Sequence, residues 1–265
     1  MTTPLTVDGA LALYERIASD PVWYAEVVLR VHLYDRQVEM LEAIRDRDMV
    51  TVCGPNAIGK DFVTGAVLIL WWLHSRPRAK VIVIGPTHRQ VQDIVFRELR
   101  NAYANSPTPL GGRMYQTARY EISEERFAIG FATTDPYNIQ GFHSPFLLSI
   151  ISEAHNVGNE HIDALRRLLP KKLVMTGNPL TIAGGFYDSH HGQRAQWHAI
   201  QLSASDSPNI KAGKEVIPGL VTLKDIERLK VEWGEGSPLY RAAVLGEWSE
   251  DVADTIVPLV LVRTA

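Results

Sequence analysis

Only one cysteine, Cys53, occurs in the 265 residues. No disulfide can form within the chain, and a small buried thiol is the role expected of it. There is no excess of basic charge either: the formal net charge is -3, so no global positive field advertises nucleic acid and any DNA contact must be local. Long apolar runs are absent. The longest, Ala66 to Leu73, falls far short of the ~20 residues that span a bilayer. The N-terminus, Met1 to Asp8, has neither the basic nor the apolar region of a signal peptide, and a cytosolic protein with no membrane contact is expected. Internal repeats and low-complexity tracts are missing. His143 and His155 lack zinc-site spacing, so no structural metal is expected.

What is present suits one large core: 46% of the residues are hydrophobic, enough for a single α/β domain. Met49 to Cys53 is a short β-prone run, and Phe62 to Leu73 is a strongly apolar helical run. Between them lie Gly54, Pro55, Asn56, Ala57, Ile58, Gly59, Lys60 and Asp61. Strand, Gly-x-x-x-x-Gly-Lys, then helix is the context a phosphate-binding loop requires. The glycines let successive N–H groups turn inward at phosphates, and the helix N-terminus adds partial positive charge. Lys60 is expected on the β- and γ-phosphates. The residue after it, usually a Ser or Thr that binds Mg²⁺, is Asp61.

The second motif is the buried-strand run Phe146 to Ile151, ending in Ser152-Glu153 where Asp-Glu is usual beside a phosphate loop. The two departures mirror each other. The loop carries a carboxylate in place of a hydroxyl, and the strand a hydroxyl in place of a carboxylate. Since these side chains face each other across the metal site of such folds, the exchange keeps one carboxylate and one hydroxyl beside Mg²⁺. Asp61 and Ser152 are therefore the expected metal pair, with Glu153 left free to orient water.

Residues 8 to 31 read as one or two amphipathic helices broken near Asp20-Pro21, followed by a helix from Tyr34 to about Arg47. Gln37, upstream of the loop, has a side-by-side donor and acceptor that suit an adenine edge, and equally fits an ordinary exposed helix position. Tyr34 or Trp23 is a candidate stacking face. Lys80 to Gly85 is the next buried strand, and its Pro86-Thr87-His88 loop is a candidate DNA or coupling element at the carboxyl edge of the sheet. Tyr115 to Ile122 and Phe127 to Thr133 suggest an edge hairpin around Glu124-Glu125. Another buried strand, Lys172 to Met175, runs into Thr176, Gly177 and Asn178, polar groups placed to sense a γ-phosphate or to cap the strand. Arg89, Arg97, Arg100, Arg113 and Arg119 form a loose basic grouping, as do Arg166, Arg167, Lys171 and Lys172. Solvated helix faces explain most such groupings.

With these pieces in order, the chain resembles the large terminase subunit of tailed bacteriophages. The marks are Lys60-Asp61, Pro86 to Val91, Gln140-Gly141-Phe142-His143, Ser152 to His155, Thr176 to Pro179 and Ser205 to Asn209. The resemblance implies a P-loop NTPase of the additional-strand catalytic-Glu type, with a mainly parallel central sheet flanked by helices. It implies an ATP hydrolase in which Mg-ATP drives translocation of double-stranded DNA into a procapsid. Lys60 matches the phosphate lysine, Glu153 the catalytic glutamate, and Thr176, Gly177 and Asn178 the coupling motif. Many members have an Arg at the position of Gln140, a candidate trans-acting finger, and its replacement here leaves the finger unassigned. Implied partners are the portal protein, the small terminase subunit and further copies in a ring, with the isolated domain compatible with a monomer, acting in the host cell cytoplasm. The implied division is a motor domain over 1–248, with 206–248 as a helical lid, and a linker over 249–265 toward a nuclease domain, so nuclease activity is not expected of this chain. A helicase-like nucleic-acid-dependent ATPase and a nucleotide-binding module without turnover remain the alternatives.

Overall fold

The computed structural model describes residues 6–132 and 139–249. Eight strands form one sheet: β1 Met49–Cys53, β2 Lys80–Gly85, β3 Arg113–Met114, β4 Arg119–Ser123, β5 Arg126–Ala132, β6 Leu147–Ile151, β7 Lys172–Gly177 and β8 His198–Gln201. Their order is β3-β4-β5-β2-β6-β7-β1-β8. From β5 to β8 every pairing is parallel, and the expected edge hairpin is the antiparallel pair β4 and β5. Thr133, the expected end of that hairpin, and Asn138 lie outside the described residues, as does the expected linker beyond Ser249.

Central strands are apolar at nearly every position because both faces of the sheet are covered. Alternation sends Leu148, Ile150 and Val174 into one core layer and Leu147, Ile151, Leu173 and Met175 into the other. The first layer holds α1 Val7–Ser19, α2 Asp35–Asp46, α3 and α4. Helix α3 runs through the consecutive segments Lys60–Phe62, Val63–Val67 and Leu68–Ser75, and α4 through Gln90–Val95 and Phe96–Asn105. The second layer is built on α5 Asn159–Arg167 and α6 Gly185–His190. Two further helices follow, α7 Pro208–Ala212, which matters for the site, and α8 Leu223–Trp233.

The break near Asp20-Pro21 is real. Asp20 ends α1, and its carboxylate accepts from Trp23 N–H to start the short turn Pro21–Trp23. Helix α3 has apolar residues all round because it is covered all round, by the sheet beneath and by α1 and α4 above. Its two indole N–H groups still find partners, Trp71 on Ile17 O at 2.7 Å and Trp72 on Phe146 O at 2.8 Å.

One expectation needs correction. The Glu153 strand, β6, is not beside the loop strand β1, because β7 lies between them. Sequence order places β7 after β6, but a crossover through α5 leads the chain into the gap between β6 and β1. The polar end of β7 therefore stands in the middle of the site.

Candidate functional site

Because β1, β6 and β7 are parallel, the loop Gly54 to Gly59, Glu153 and Asn178 all emerge at one edge of the sheet, where ligands bind in open α/β folds. The loop turns on Gly59, at φ +80°, a region L side chains rarely adopt. A Cβ there would also lie 2.5 Å from Gln37 Nε2. Gly54 N–H donates to Gly177 O at 3.1 Å, which stitches the start of the loop to β7.

Lys60, in the first turn of α3, is buried. Its ammonium donates to Gly54 O at 3.0 Å, Pro55 O at 2.6 Å and Asn178 Oδ1 at 3.4 Å. Burial lowers its pKa, and the neighbouring Asp61 and Glu153 carboxylates counter that pull. Two of the three acceptors are the loop's own carbonyls, which a phosphate oxygen can replace without leaving the charge unpaired. Asn178 also donates through Nδ2 to Asn56 Oδ1 at 2.9 Å, so one side chain joins two residues of the loop.

Ser152 Oγ donates to Asp61 Oδ1 at 3.3 Å. The two residues of the mirrored exchange therefore face each other. Both present hard oxygens, the donor type Mg²⁺ takes. Among the described residues no group of three or more His, Cys, Asp or Glu is placed to hold a metal, but Mg²⁺ at nucleotide sites commonly uses one or two carboxylates, with phosphate oxygens and water completing the octahedron.

Glu153 has φ +52°, a left-handed backbone that is strained for a residue with a Cβ. This strain sits at the expected catalytic position. Burial raises the carboxyl pKa, Asp61 adds to the rise and Lys60 opposes it. His155 Nδ1 lies 3.4 Å from Glu153 Oε2, but the imidazole pKa is pushed down to about 4 by burial and then by Lys60. The contact is therefore not an ion pair at neutral pH.

Thr176 Oγ1 is buried with no hydrogen-bond partner among the described residues. By alternation it shares a face with Val174, the α3 side of the sheet, one step beyond the paired Ile151 and Met175. A buried hydroxyl left without a partner costs about 1–3 kcal/mol.

Gln37 and Tyr34 turn out to be committed to the loop. Gln37 Oε1 accepts from Tyr34 N–H at 3.3 Å, and its Nε2 donates to Gly59 O at 3.5 Å. Gln37 still lines the cavity beside the loop. Tyr34 is buried, and its hydroxyl donates to Ile58 O at 2.6 Å. It lines a neighbouring depression with Pro208 and Lys211 rather than this cavity, so its ring is no stacking face there, and Trp23 is not among the cavity's lining residues either.

The cavity has a volume of about 570 Å³. Asn56 to Phe62 form its floor, and residues without any local signature complete it: Val31 and His32, Arg97 on α4, and Ile217 to Leu220. Of the five arginines from 89 to 119, only Arg97 reaches this cavity. Arg100 donates to Gln92 O at 2.9 Å and Arg119 to Glu121 at 2.9 Å. Gln140 is exposed. The segment from Ile217 is held by Asn209, fully buried in α7. Its Nδ2 donates to Ile217 O at 2.9 Å and Leu220 O at 3.0 Å, and its Oδ1 accepts from Val216 N–H and Ile217 N–H, both at 2.8 Å. Val221 N–H then donates to Ala57 O at 2.9 Å, seating the segment on the loop. Cys53, as expected, is a bland buried thiol donating to Gly246 O at 3.2 Å, with its pKa raised to about 12 by burial.

No protein-family model matches the chain, and no curated protein matches it in sequence. Solved structures do match in shape. The large terminase of bacteriophage HK97 is similar with a TM-score of 0.65 at 14% identity, over 89% of this chain and 55% of that one. A large terminase from a thermophilic bacteriophage, in complex with ADP, gives 0.63 at 14% identity, over 82% and 54%. The large terminase ATPase domain of Thermus phage P74-26 gives 0.62 at 13% identity, over 88% and 99%. This chain thus spans about half the length of the longer terminases it matches and nearly all of the separate ATPase domain. At such identities the likeness establishes the fold. The chain has the fold of phage large-terminase ATPase domains, a mostly parallel eight-stranded sheet with flanking helices.

Proposed function

We propose that this chain is the ATPase motor domain of a viral large terminase, hydrolysing Mg-ATP to drive double-stranded DNA into a procapsid. The observation that carries the reading is the contact of 3.3 Å between Ser152 Oγ and Asp61 Oδ1, made within the same site as Lys60 and Glu153. A degenerate loop would have no reason to keep a compensated carboxylate and hydroxyl at this point. Asp61 and Ser152 would hold Mg²⁺, which would supply positive charge against the phosphates.

The side chains divide the work as their surroundings suggest. Lys60 moves its donors from loop carbonyls to the β- and γ-phosphates, and the loop N–H groups and the N-terminus of α3 take the remaining phosphate charge. Glu153, kept basic by burial and by Asp61, orients the attacking water and accepts its proton. The Thr176 hydroxyl, without a partner among the described residues, and Asn178 report on the γ-phosphate to the rest of the fold. Gln37 reads the adenine edge only if its bond to Gly59 O, already long at 3.5 Å, gives way. The segment 206–248 acts as a lid, since its Ile217 to Leu220 stretch covers the loop. The working unit is a homo-oligomeric ring on a portal protein, recruited with a small terminase subunit in the host cytoplasm, and the Pro86-Thr87-His88 loop is the candidate contact with DNA.

ATP turnover and binding by the wild type and Glu153→Gln test this reading. The variant is expected to bind ATP and lose turnover by about 10²- to 10⁴-fold, the usual range for a general base. Wild-type-like hydrolysis by the variant removes Glu153 from the mechanism. ATP binding without turnover in the wild type, at high protein concentration, favours a binding module instead.

A further inference from the structure

His155 is unexplained by the reading above, yet it joins two of its parts. It lies two residues beyond Glu153 in the helical turn Ala154–Asn156, with its side chain 4% exposed. Its Nδ1 accepts from the backbone N–H of Asn178 at 3.2 Å. A ring nitrogen has one lone pair, so accepting there fixes the tautomer with the proton on Nε2. Nε2 lies 3.0 Å from Asn156 Nδ2, and with the proton on Nε2 the exposed Asn156 amide is assigned the other way round, its oxygen toward the ring. The edge facing Glu153 Oε2 at 3.4 Å is consequently a lone pair already in use, which offers the carboxylate no hydrogen bond.

We propose that His155 is a positioning residue for Glu153: its neutral ring, locked by the Asn178 N–H, walls the carboxylate into place without pairing with it and ties the Glu153 turn to the end of β7. The inference rests on the ATPase reading and deepens it. Three observations bear on it independently of the hydrogen bond. Glu153 has a strained left-handed backbone that requires support from its surroundings. Thr181 Oγ1 donates to His155 O at 3.4 Å, so the β7 side holds the turn at a second point. A Cβ on Gly177 would lie 3.1 Å from His155 Nδ1 and 3.0 Å from Phe186, so a side chain there would push the ring back by a few tenths of an ångström. Asn178, at the other end of the bond, also accepts from Lys60 at 3.4 Å and donates to Asn56 at 2.9 Å. Through the imidazole, the group that orients water and the group that contacts the phosphate lysine share one rigid connection.

The test compares His155→Ala, His155→Asn and His155→Gln. The Asn Oδ1 stands near the place of Nδ1 and restores an acceptor for the Asn178 N–H, whereas the Gln amide reaches toward the place of Nε2. For His155→Ala we expect kcat for ATP lower by about 10- to 100-fold, the scale of small misplacements of a reacting group, with KM within about threefold of wild type. His155→Asn is expected to recover most of kcat and His155→Gln little. Hydrogen exchange at the Asn178 amide, read without nucleotide, should be slow in the wild type and in His155→Asn and fast in the other two. Should His155→Ala fail to fold, the contrast between Asn and Gln and the exchange of Asn178 decide alone. A kcat unchanged in His155→Ala, equal behaviour of the Asn and Gln variants, or unaltered Asn178 exchange overturns the proposal while leaving Glu153-dependent hydrolysis intact. Loss of Glu153 dependence in the wild type overturns the ATPase reading, and the positioning role falls with it.

Discussion

Asp61 and Ser152 are 91 residues apart in sequence and 3.3 Å apart in space. If they share one Mg²⁺, Asp61→Ser leaves two hydroxyls and too little negative charge, and metal-dependent nucleotide binding should be lost. Ser152→Asp places two carboxylates side by side, which repel and raise one pKa. The double variant restores the more usual arrangement and should recover much of the activity. Steady-state ATPase assays of the four proteins form a double-mutant cycle, and a coupling of at least ~1 kcal/mol is expected, because groups with a common partner are rarely additive. Additive losses mean that the residues do not share a metal and that the exchange is coincidence.

Elements carry two further expectations. Asn209 of α7 makes four hydrogen bonds to the segment from Val216 to Leu220. Its replacement by Ala frees that segment from the loop, and since the segment lines the cavity wall but holds none of the reacting groups, KM for ATP should rise about tenfold with kcat little changed. A fall in kcat at constant KM contradicts a covering role. The second expectation concerns buried histidines that join elements. His74 on α3 lies 2.5 Å from Tyr24 OH and 3.1 Å from Tyr120 OH, and His190 on α6 lies 3.0 Å from Thr51 Oγ1 of β1. Burial lowers their pKa values to about 4 and about 3 from 6.5. The unfolded chain therefore binds more protons than the folded one below pH 6.5. Their contribution is fully present above that value and is lost as the pH falls through the window toward the folded pKa values, by up to roughly 3 kcal/mol for His74 and roughly 5 kcal/mol for His190. Urea midpoints should drop between pH 7 and pH 5, and less steeply in His190→Gln; identical slopes in the two proteins remove His190 from the effect.

At the scale of the whole molecule, the open question is whether one chain contains a complete site. Arg97 is the one arginine lining the cavity among the described residues, and its side chain is 60% exposed beside Glu98. An arginine finger contributes about 10³ to 10⁵ in rate, so the source of that charge decides how activity depends on concentration. In the ring reading a neighbour supplies it, and activity should climb with protein concentration faster than linearly. Flat specific activity with substantial turnover, abolished by Arg97→Ala, assigns the finger to the same chain.

The loop between β1 and α3 was legible in the sequence because it is local. Eight consecutive residues between a β-prone run and an apolar run define it, and backbone preferences act over that same distance. Apolar or β-prone runs likewise disclosed β1, β2, β6 and β7, since a strand covered on both faces displays few polar side chains. The pairing of Asp61 with Ser152 was inferable from composition, because their exchange conserves charge at one point. Other parts were decided only by the tertiary structure. The insertion of β7 between β6 and β1 follows from the path of a crossover, which leaves no mark in the residues it carries. Arg97 and the segment from Ile217 to Leu220 reach the cavity through helix packing and through Asn209, and their own side chains carry no pattern that points there. Gln37 and Tyr34 had the right chemistry for a base, yet the fold holds both against the loop, because side-chain chemistry says what a residue can bond and its neighbours decide what it does bond.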